Sequence, residues 1–282
     1  MIIVIDGINQ HLFTDILDEM YQLRARVFGD RLGWEVNIEN GRERDAFDDL
    51  HPAHVVSIND DGDVVGCMRL LQTTGPHMMA DVFNAILDGE PPIRSAQVWE
   101  ATRFCVDTKK LGRGRGKNSI SYVTSEVMIG SFEYAMQAGV LDSIAVIDPV
   151  MNRVLQRSGN APYDYLGTAK PMGKVVAMAA MMDCSEERIA GIRAYAGIEH
   201  DVFLSEDEAL ALFARSKSPL PANQDHKPLT DLERYFVEQI SASTTEDERM
   251  ATLKLIETLT DTFSPEQKVA LLGTPRAFAH EV

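Results

Sequence analysis

Two aspartates three residues apart, Asp45 and Asp48, are preceded by Arg24 and followed by Arg69, Glu100 and Arg103. If folding gathers these side chains, their opposite charges form a preorganised polar site able to hold a zwitterion by both ends. A carboxylate close to an ammonium can orient it and relay its proton, directly or through water, and Glu100 is the candidate for that role. Arg24 and Arg103 belong to positioning and electrostatics, since a guanidinium stays charged and is a poor base. Taken alone, the same residues also describe a rim salt-bridge network. Glu100 and Arg103 have odd spacing along one expected strand, so they project to opposite faces unless a bulge intervenes.

A second group could serve binding. Phe28 and Trp34 flank a glycine-containing segment and could wall a ligand, or pack as core and lid residues. Arg26, Arg31, Arg42 and Arg44 read as a solvated face that could also dock an acidic partner. The basic loop Lys109-Lys110-Leu111-Gly112-Arg113-Gly114-Arg115-Gly116-Lys117 follows a strand and opens a helix. Its backbone N–H groups and cationic side chains suit the phosphates of a phosphopantetheine or coenzyme A donor. Cys67, Cys105 and Cys184 are odd in number and far apart, and His51, His54 and His77 lack metal spacing, so neither a disulfide framework nor a metal site is expected and the cysteines read as buried thiols.

The elements that must position these residues follow from periodicity. Apolar residues at Leu12, Phe13, Ile16, Leu17, Met20, Leu23 and Val27 predict an amphipathic helix over 12–28. A strand over 55–58, the turn Asp60-Asp61-Gly62-Asp63 and a strand over 64–71 predict a hairpin. A helix over 78–87, a strand over 98–106 and a helix over 119–137 ending at Gly139 come next. Strands over 143–147, 163–167 and 175–182 alternate with a helix over 149–157 and a Ser185-capped helix to about 195. This order predicts an α/β (α+β) fold, a mixed twisted sheet with helices on both faces. Residues 216–228, rich in proline and polar residues, read as a linker. Helical faces follow at Leu232, Tyr235, Phe236 and Ile240, and at Met250, Leu253, Leu255, Ile256 and Leu259.

Composition sets outer bounds. The 282 residues, 45% of them hydrophobic and 25% charged, suffice for one large domain and a small one. The net charge of -16 is spread over the chain, with 28 acids against 19 Lys and Arg in residues 1–200 and 15 against 8 beyond. A phosphate backbone would be repelled, so nucleic-acid binding is not expected. No signal peptide or bilayer-length apolar run is read, which predicts a cytoplasmic protein without a membrane partner.

The ordered set Arg24, Phe28, Trp34, Asp45, Asp48, Arg69, Glu100 and Arg103 resembles the motif set of the acyl-homoserine-lactone synthases, the LuxI-type autoinducer synthases. The resemblance extends to Gly33-Trp34-Glu35, Gly66-Cys67-Met68-Arg69-Leu70-Leu71, Thr74-Gly75-Pro76 and Trp99-Glu100-Ala101-Thr102-Arg103-Phe104, and runs from about residue 1 to 198. It implies a GCN5-related N-acetyltransferase-like domain over 1–198; residues 199–282 have no counterpart in the family's usual core and read, from the faces above, as a helical extension. It further implies an acyltransferase that joins S-adenosylmethionine to an acyl thioester and closes the lactone, without a resident cofactor or metal. The donor would be an acyl-carrier protein or acyl-coenzyme A. Lys109-x-x-Gly112-x-Gly114 is similar to a loosened acetyltransferase pyrophosphate loop. The acyl pocket is expected along residues 143–147, with Ala145 and Ile147 facing the chain; Ala145 stands where 3-oxo-making members often carry threonine, which favours an unsubstituted chain. The extension could mediate self-association or cap the core. The rival readings are an N-acyltransferase that does not lactonise and a non-catalytic regulator on the same fold.

Overall fold

The structure is a computed structural model, and the residues it describes are 1–112, 116–117, 119–172, 175–217 and Met250. Strands β1 (Ile2–Ile5), the two-residue β2 (Ile38–Glu39) and β3 (Arg42–Glu43), β4 (Ala53–Ile58), β5 (Val64–Gln72), β6 (Val98–Val106), β7 (Asp142–Ile147), β8 (Asp164–Met172) and β9 (Val175–Asp183) alternate with helices. The helices are α1 (Thr14–Arg24), α2 (Met78–Asp81), α3 (Ile120–Gln137), α4 (Pro149–Arg157), α5 (Glu186–Ala196) and α6 (Glu206–Lys217). Seven strands form one sheet in the order β1-β4-β5-β6-β7-β9-β8, while β2 and β3 pair apart from it.

Both faces of the sheet are covered because its central strands are apolar on both sides. In β4, Val55 joins a core under α3, α4 and α5, while Val56 and Ile58 join the opposite core with Phe13, Ile16 and Met20 around α1. All neighbouring strands run antiparallel except β6 and β7, which pair in parallel from Val98 opposite Asp142 to Ala101 opposite Ala145. Beyond that pair no further partners are matched, so the two strands separate partway along the sheet. Ser119 accepts a bond from the Tyr122 N–H at 3.2 Å and caps α3 at its start, and Gly139 at φ 78° follows its end.

Several expected elements change at their edges. The helix expected over 12–28 ends at Arg24 and widens into a π-type turn, Ala25–Arg31. That expected over 78–87 breaks into the short α2 and a 3-10 turn, Asn84–Leu87. The break has a steric companion: a Cβ on Gly167 (φ +59°) would lie 1.8 Å from the Ile86 carbonyl oxygen, so β8 runs hard against this segment. The strand expected over 163–167 continues to Met172 through a register shift between Leu166 and Lys170.

The boundary expected at 198 falls inside a compact unit that spans Met1–Ser218. Ile2 donates to the Val202 carbonyl and accepts from the Leu204 N–H, both at 2.7 Å. Helix α6, within the stretch expected to be a helical extension, buries Ala209 and Phe213 in the core beside α1. Its last turn meets the hairpin at Gly62 (φ +85°), where a Cβ would stand 2.3 Å from the Leu212 carbonyl oxygen. The linker expected from 216 begins inside the structure as helix, since Ser216 and Lys217 end α6; its remainder and the second unit, Pro219–Val282, with the helical faces expected there, lie outside the described residues except for Met250. Among the described residues no helix is long and apolar enough to cross a membrane.

Candidate active site

The two aspartates owe their spacing to a turn. Asp45 caps the 3-10 segment Ala46–Leu50: its Oδ1 accepts from the Phe47 N–H at 3.0 Å, and Asp48 Oδ2 accepts from the Asp45 N–H at 2.9 Å. This reciprocal cap turns both carboxylates toward Arg24 at the end of α1 and Arg69 on β5. Arg24 holds Asp48 with two bonds of 2.8 Å, and Arg69 Nη1 reaches Asp48 Oδ1 at 2.8 Å and Asp45 Oδ1 at 2.5 Å.

Arg103 arrives through a bulge. Cys67 pairs with Cys105 and Arg69 with Thr102, so β6 sets Arg103 and Phe104 against Met68 alone. Arg103 takes φ +53°, a left-handed conformation unusual for a residue with a Cβ. The extra residue swings its guanidinium to Asp45, at 2.6 Å, and to Glu43, at 3.1 Å. Glu43 on β3 accepts from Arg24 Nε at 2.6 Å and closes the circuit. The six groups form a ring of alternating charge: Arg24, Asp48, Arg69, Asp45, Arg103, Glu43 and back to Arg24. Three guanidinium charges offset three carboxylates. Four members have fully buried side chains; only Asp45 at 19% and Arg103 at 12% keep an exposed edge.

Burial and partners compete in setting the charge states. Burial alone would raise Asp48, but the hydrogen bonds and charge of Arg24, with the charge of Arg69, hold its carboxyl well below the usual range. Asp45 is lowered in the same way: bonding to Arg69 and the charges of Arg69 and Arg103 outweigh its burial. His54, 4.0 Å from Asp48, is pushed down to about 3 by burial and stands neutral.

Glu100 sits next to the ring and behaves differently. Burial raises it to about 7, and the N–H groups of Met78 and Met79, donating at 2.6 and 2.7 Å, offset that only in part. Met78 links the two regions, because its thioether accepts from Arg69 at 3.3 Å and from Arg103 at 3.4 Å. A buried carboxyl that titrates near neutrality beside a charged edge is suited to proton transfer.

Of the aromatic pair, Phe28 is buried and Trp34 is 41% exposed. Their rings stack with centroids 5.3 Å apart, and the Arg103 guanidinium lies 5.7 Å from the Phe28 ring. Ala145 and Ile147 are buried in the core beneath α3, on the sheet face away from Ile144, and Ala145 belongs to the last matched pair before β6 and β7 part. In the basic loop, Lys109 and Lys110 donate their backbone N–H groups to Asp107, at 3.0 and 3.3 Å, and Gly112 accepts from Ile120 at 3.1 Å. Arg113, Gly114 and Arg115 lie outside the described residues. The four arginines read as a solvated face are exposed or half-buried, and each holds a partner there: Arg26 with Asp107, Arg31 with Thr108, Arg42 with Asp18 and Arg44 with Asp49.

Sequence reasoning passed over Glu43, Thr102, which accepts from Arg69 Nε at 3.0 Å, and Met78. A signal for Glu43 was present: it lies two residues before Asp45, the spacing that puts alternate side chains of an extended segment on one face. Among the described residues no group of three or more His, Cys, Asp or Glu side chains is arranged to hold a metal ion.

A seven-stranded mixed sheet with helices on both faces and a parallel pair that separates beside a charged site is the α/β architecture that the chain shares with solved acyl-homoserine-lactone synthases, and its class is an acyltransferase. The family model for autoinducer synthases matches residues 9–192, and the chain belongs to that family. It is 37% identical over 180 residues to a "probable acyl-homoserine-lactone synthase" of Sinorhizobium fredii, covering 64% of this chain and 86% of the relative. With the acyl-homoserine-lactone synthase of Agrobacterium fabrum it shares 36% identity over 171 residues, 60% of this chain and 80% of the relative. The solved structure of MesI, a CoA-dependent acyl-homoserine lactone synthase, superposes with a TM-score of 0.62 at 27% identity, covering 72% of this chain and 98% of MesI.

Proposed function

We propose that this enzyme makes an N-acyl-homoserine lactone from S-adenosylmethionine and an acyl thioester, and that the exposed Asp45–Arg103 edge of the ring receives the amino-acid end of S-adenosylmethionine. The observation that carries the site assignment is the combination of that edge with Glu100. Asp45 takes the substrate ammonium and Arg103 its carboxylate, because these are the two ring members that solvent reaches. The stacked Phe28 and Trp34 rings give the adenosyl group an apolar wall. Arg24, Asp48 and Arg69 hold the edge in place from behind.

Glu100, directly or through a water, takes the proton of the ammonium. The freed amine attacks the thioester carbon, backbone N–H groups of β6 stabilise the oxyanion, and the carrier thiol leaves with a proton. The methionyl carboxylate then attacks its own γ-carbon. The sulfonium sulfur leaves with the bonding pair as neutral methylthioadenosine, and holding the folded conformer supplies much of this step.

The acyl chain enters where β6 and β7 part and runs toward Ala145 and Ile147, while the segment from Lys109 to Arg115 meets the donor's phosphates. Ala145 offers no hydroxyl to a 3-oxo group, which favours an unsubstituted chain. MesI is CoA-dependent, and coenzyme A and acyl-carrier protein present the same phosphopantetheine arm to such a loop. We place the reaction in the cytoplasm and assign self-association to the C-terminal extension, residues 199–282.

The test is to incubate the purified protein with S-adenosylmethionine and a mixture of acyl-carrier-protein and acyl-coenzyme A thioesters, then analyse the organic extract by mass spectrometry. An acyl-homoserine lactone that vanishes in Glu100→Gln is expected. An acylated product without the lactone ring would overturn the assignment.

A further inference from the structure

Glu43 never reaches solvent, so it cannot touch a substrate in this arrangement. Its importance lies in what happens to the ring when the Asp45 edge opens. A substrate ammonium that takes Asp45 removes one partner from each of two arginines. Arg69 keeps Asp48 at 2.8 Å and Thr102 at 3.0 Å, and its side chain is fully buried. Arg103 has less to fall back on: Glu43, at 3.1 and 3.3 Å from Nε and 3.1 Å from Nη2, and the Met78 thioether at 3.4 Å.

Arg103 also sits at φ +53° in the bulge, a conformation that a residue with a Cβ holds only when its surroundings compensate. With Asp45 taken, Glu43 is, among the described residues, the carboxylate that still holds it, on the side away from the substrate's own carboxylate. Arg24 in turn fixes Glu43 through a 2.6 Å bond from the other side, so Glu43 cannot follow a wandering guanidinium.

We propose that Glu43 is a positioning residue, which keeps Arg103 at the site while a zwitterionic amino-acid substrate occupies Asp45. The inference rests on the reading that S-adenosylmethionine binds this edge. It makes Glu43 matter for one substrate and not the other, because the acyl thioester has no need of Arg103's second partner.

The test uses the full-length protein. S-adenosylmethionine and the acyl thioester are varied separately in steady-state assays of wild type, Glu43→Gln and Glu43→Asp. Binding of S-adenosylmethionine is measured by calorimetry, and folding by far-ultraviolet circular dichroism. Glu43→Gln is expected to raise both Kd and KM for S-adenosylmethionine about tenfold, the loss of one charge-assisted partner, with KM for the thioester within about twofold. Glu43→Asp keeps the charge but is one methylene too short to serve Arg24 and Arg103 together, so it should show a smaller defect of the same selectivity.

A folded Glu43→Gln that binds S-adenosylmethionine as wild type does would overturn the inference, and so would equal losses toward both substrates. Should Glu43→Gln not fold, wild-type S-adenosylmethionine binding in Glu43→Asp would overturn it instead. Wild-type protein that neither binds nor consumes S-adenosylmethionine would overturn the functional reading itself, a separate result seen before any variant is assayed.

Discussion

The ion-pair ring and the carboxyl of Glu100 are neighbours joined through Met78, and burial acts on both alike. Their partners differ. Asp48 faces guanidinium groups and is held ionised against its burial, whereas Glu100 faces two peptide N–H groups and rises to about 7. A buried carboxylate matched by full charges is a fixed part of the scaffold; one matched only by dipoles can exchange a proton near neutral pH. The same fold therefore holds one carboxylate ionised and leaves a neighbouring carboxyl able to exchange a proton near neutral pH, by choice of partner and not by depth.

Breaking the ring should produce the largest effect. Arg24→Met leaves Glu43 and Asp48 each short of a buried charge partner, and removing one member of such a pair costs about 3–5 kcal/mol. For a unit of this size that corresponds to a fall in Tm of about 10 °C or more. Thermal unfolding followed by circular dichroism measures it, and a Tm within about 2 °C of wild type would mean that water or rearrangement relieves the ring.

Glu100→Gln should reverse the balance between stability and activity. The amide keeps the shape and one acceptor but sets an N–H against a backbone N–H, so a moderate stability loss of about 1–3 kcal/mol is expected. Loss of the proton acceptor should lower kcat by about 100-fold or more. In wild type, kcat/KM should rise with pH through about 7 as Glu100 ionises, and the variant should lose that limb. The two regions also give opposite stability signs. Glu100 is raised from 4.5, so its contribution is fully present below that value and is lost as pH rises to about 7. Asp45 and Asp48 are lowered from 3.8, so theirs is present above 3.8 and lost as pH falls through their folded values. Denaturant unfolding between pH 3 and 8 of wild type and Glu100→Gln separates these slopes.

What the chain discloses before folding follows the same division. Asp45 and Asp48 could be paired from sequence because a local capping turn sets their spacing. Arg103 could be placed only on condition of a bulge, and the bulge depends on how β6 registers against β5, a contact between strands far apart in the chain. Glu43 was hidden by its flanking arginines and by a strand of two residues, too short to show a period. The edge of the compact unit depends on a contact of the same kind. Residues 202–204 look like loop until Ile2, two hundred residues earlier, pairs with them. Local chemistry was legible, and long-range register was not.

Ala145→Thr addresses the apolar side of the sheet, where a smaller and more selective effect is expected. The added atoms enter a packed core and should cost about 1–3 kcal/mol. The new hydroxyl should shift product formation by a few-fold, about 1 kcal/mol, toward a 3-oxo chain over the unsubstituted one of equal length. Mass spectrometry of products from paired thioesters reads the ratio; an unchanged ratio would place the chain elsewhere than beside Ala145.

Removing residues 219–282 should change least. The ring, Glu100 and the parting of β6 and β7 all lie within the Met1–Ser218 unit, and α6 already closes the core over α1 with Phe213. The shortened chain should therefore keep its Tm within about 3 °C, less than 1 kcal/mol for a unit of this size, and its kcat/KM for both substrates within about twofold. Light scattering should show a lower oligomeric state than the full chain. A truncated protein that keeps the oligomeric state of the full chain but loses activity would assign the extension to the site, and would make the contrast between ring and Glu100 incomplete without it.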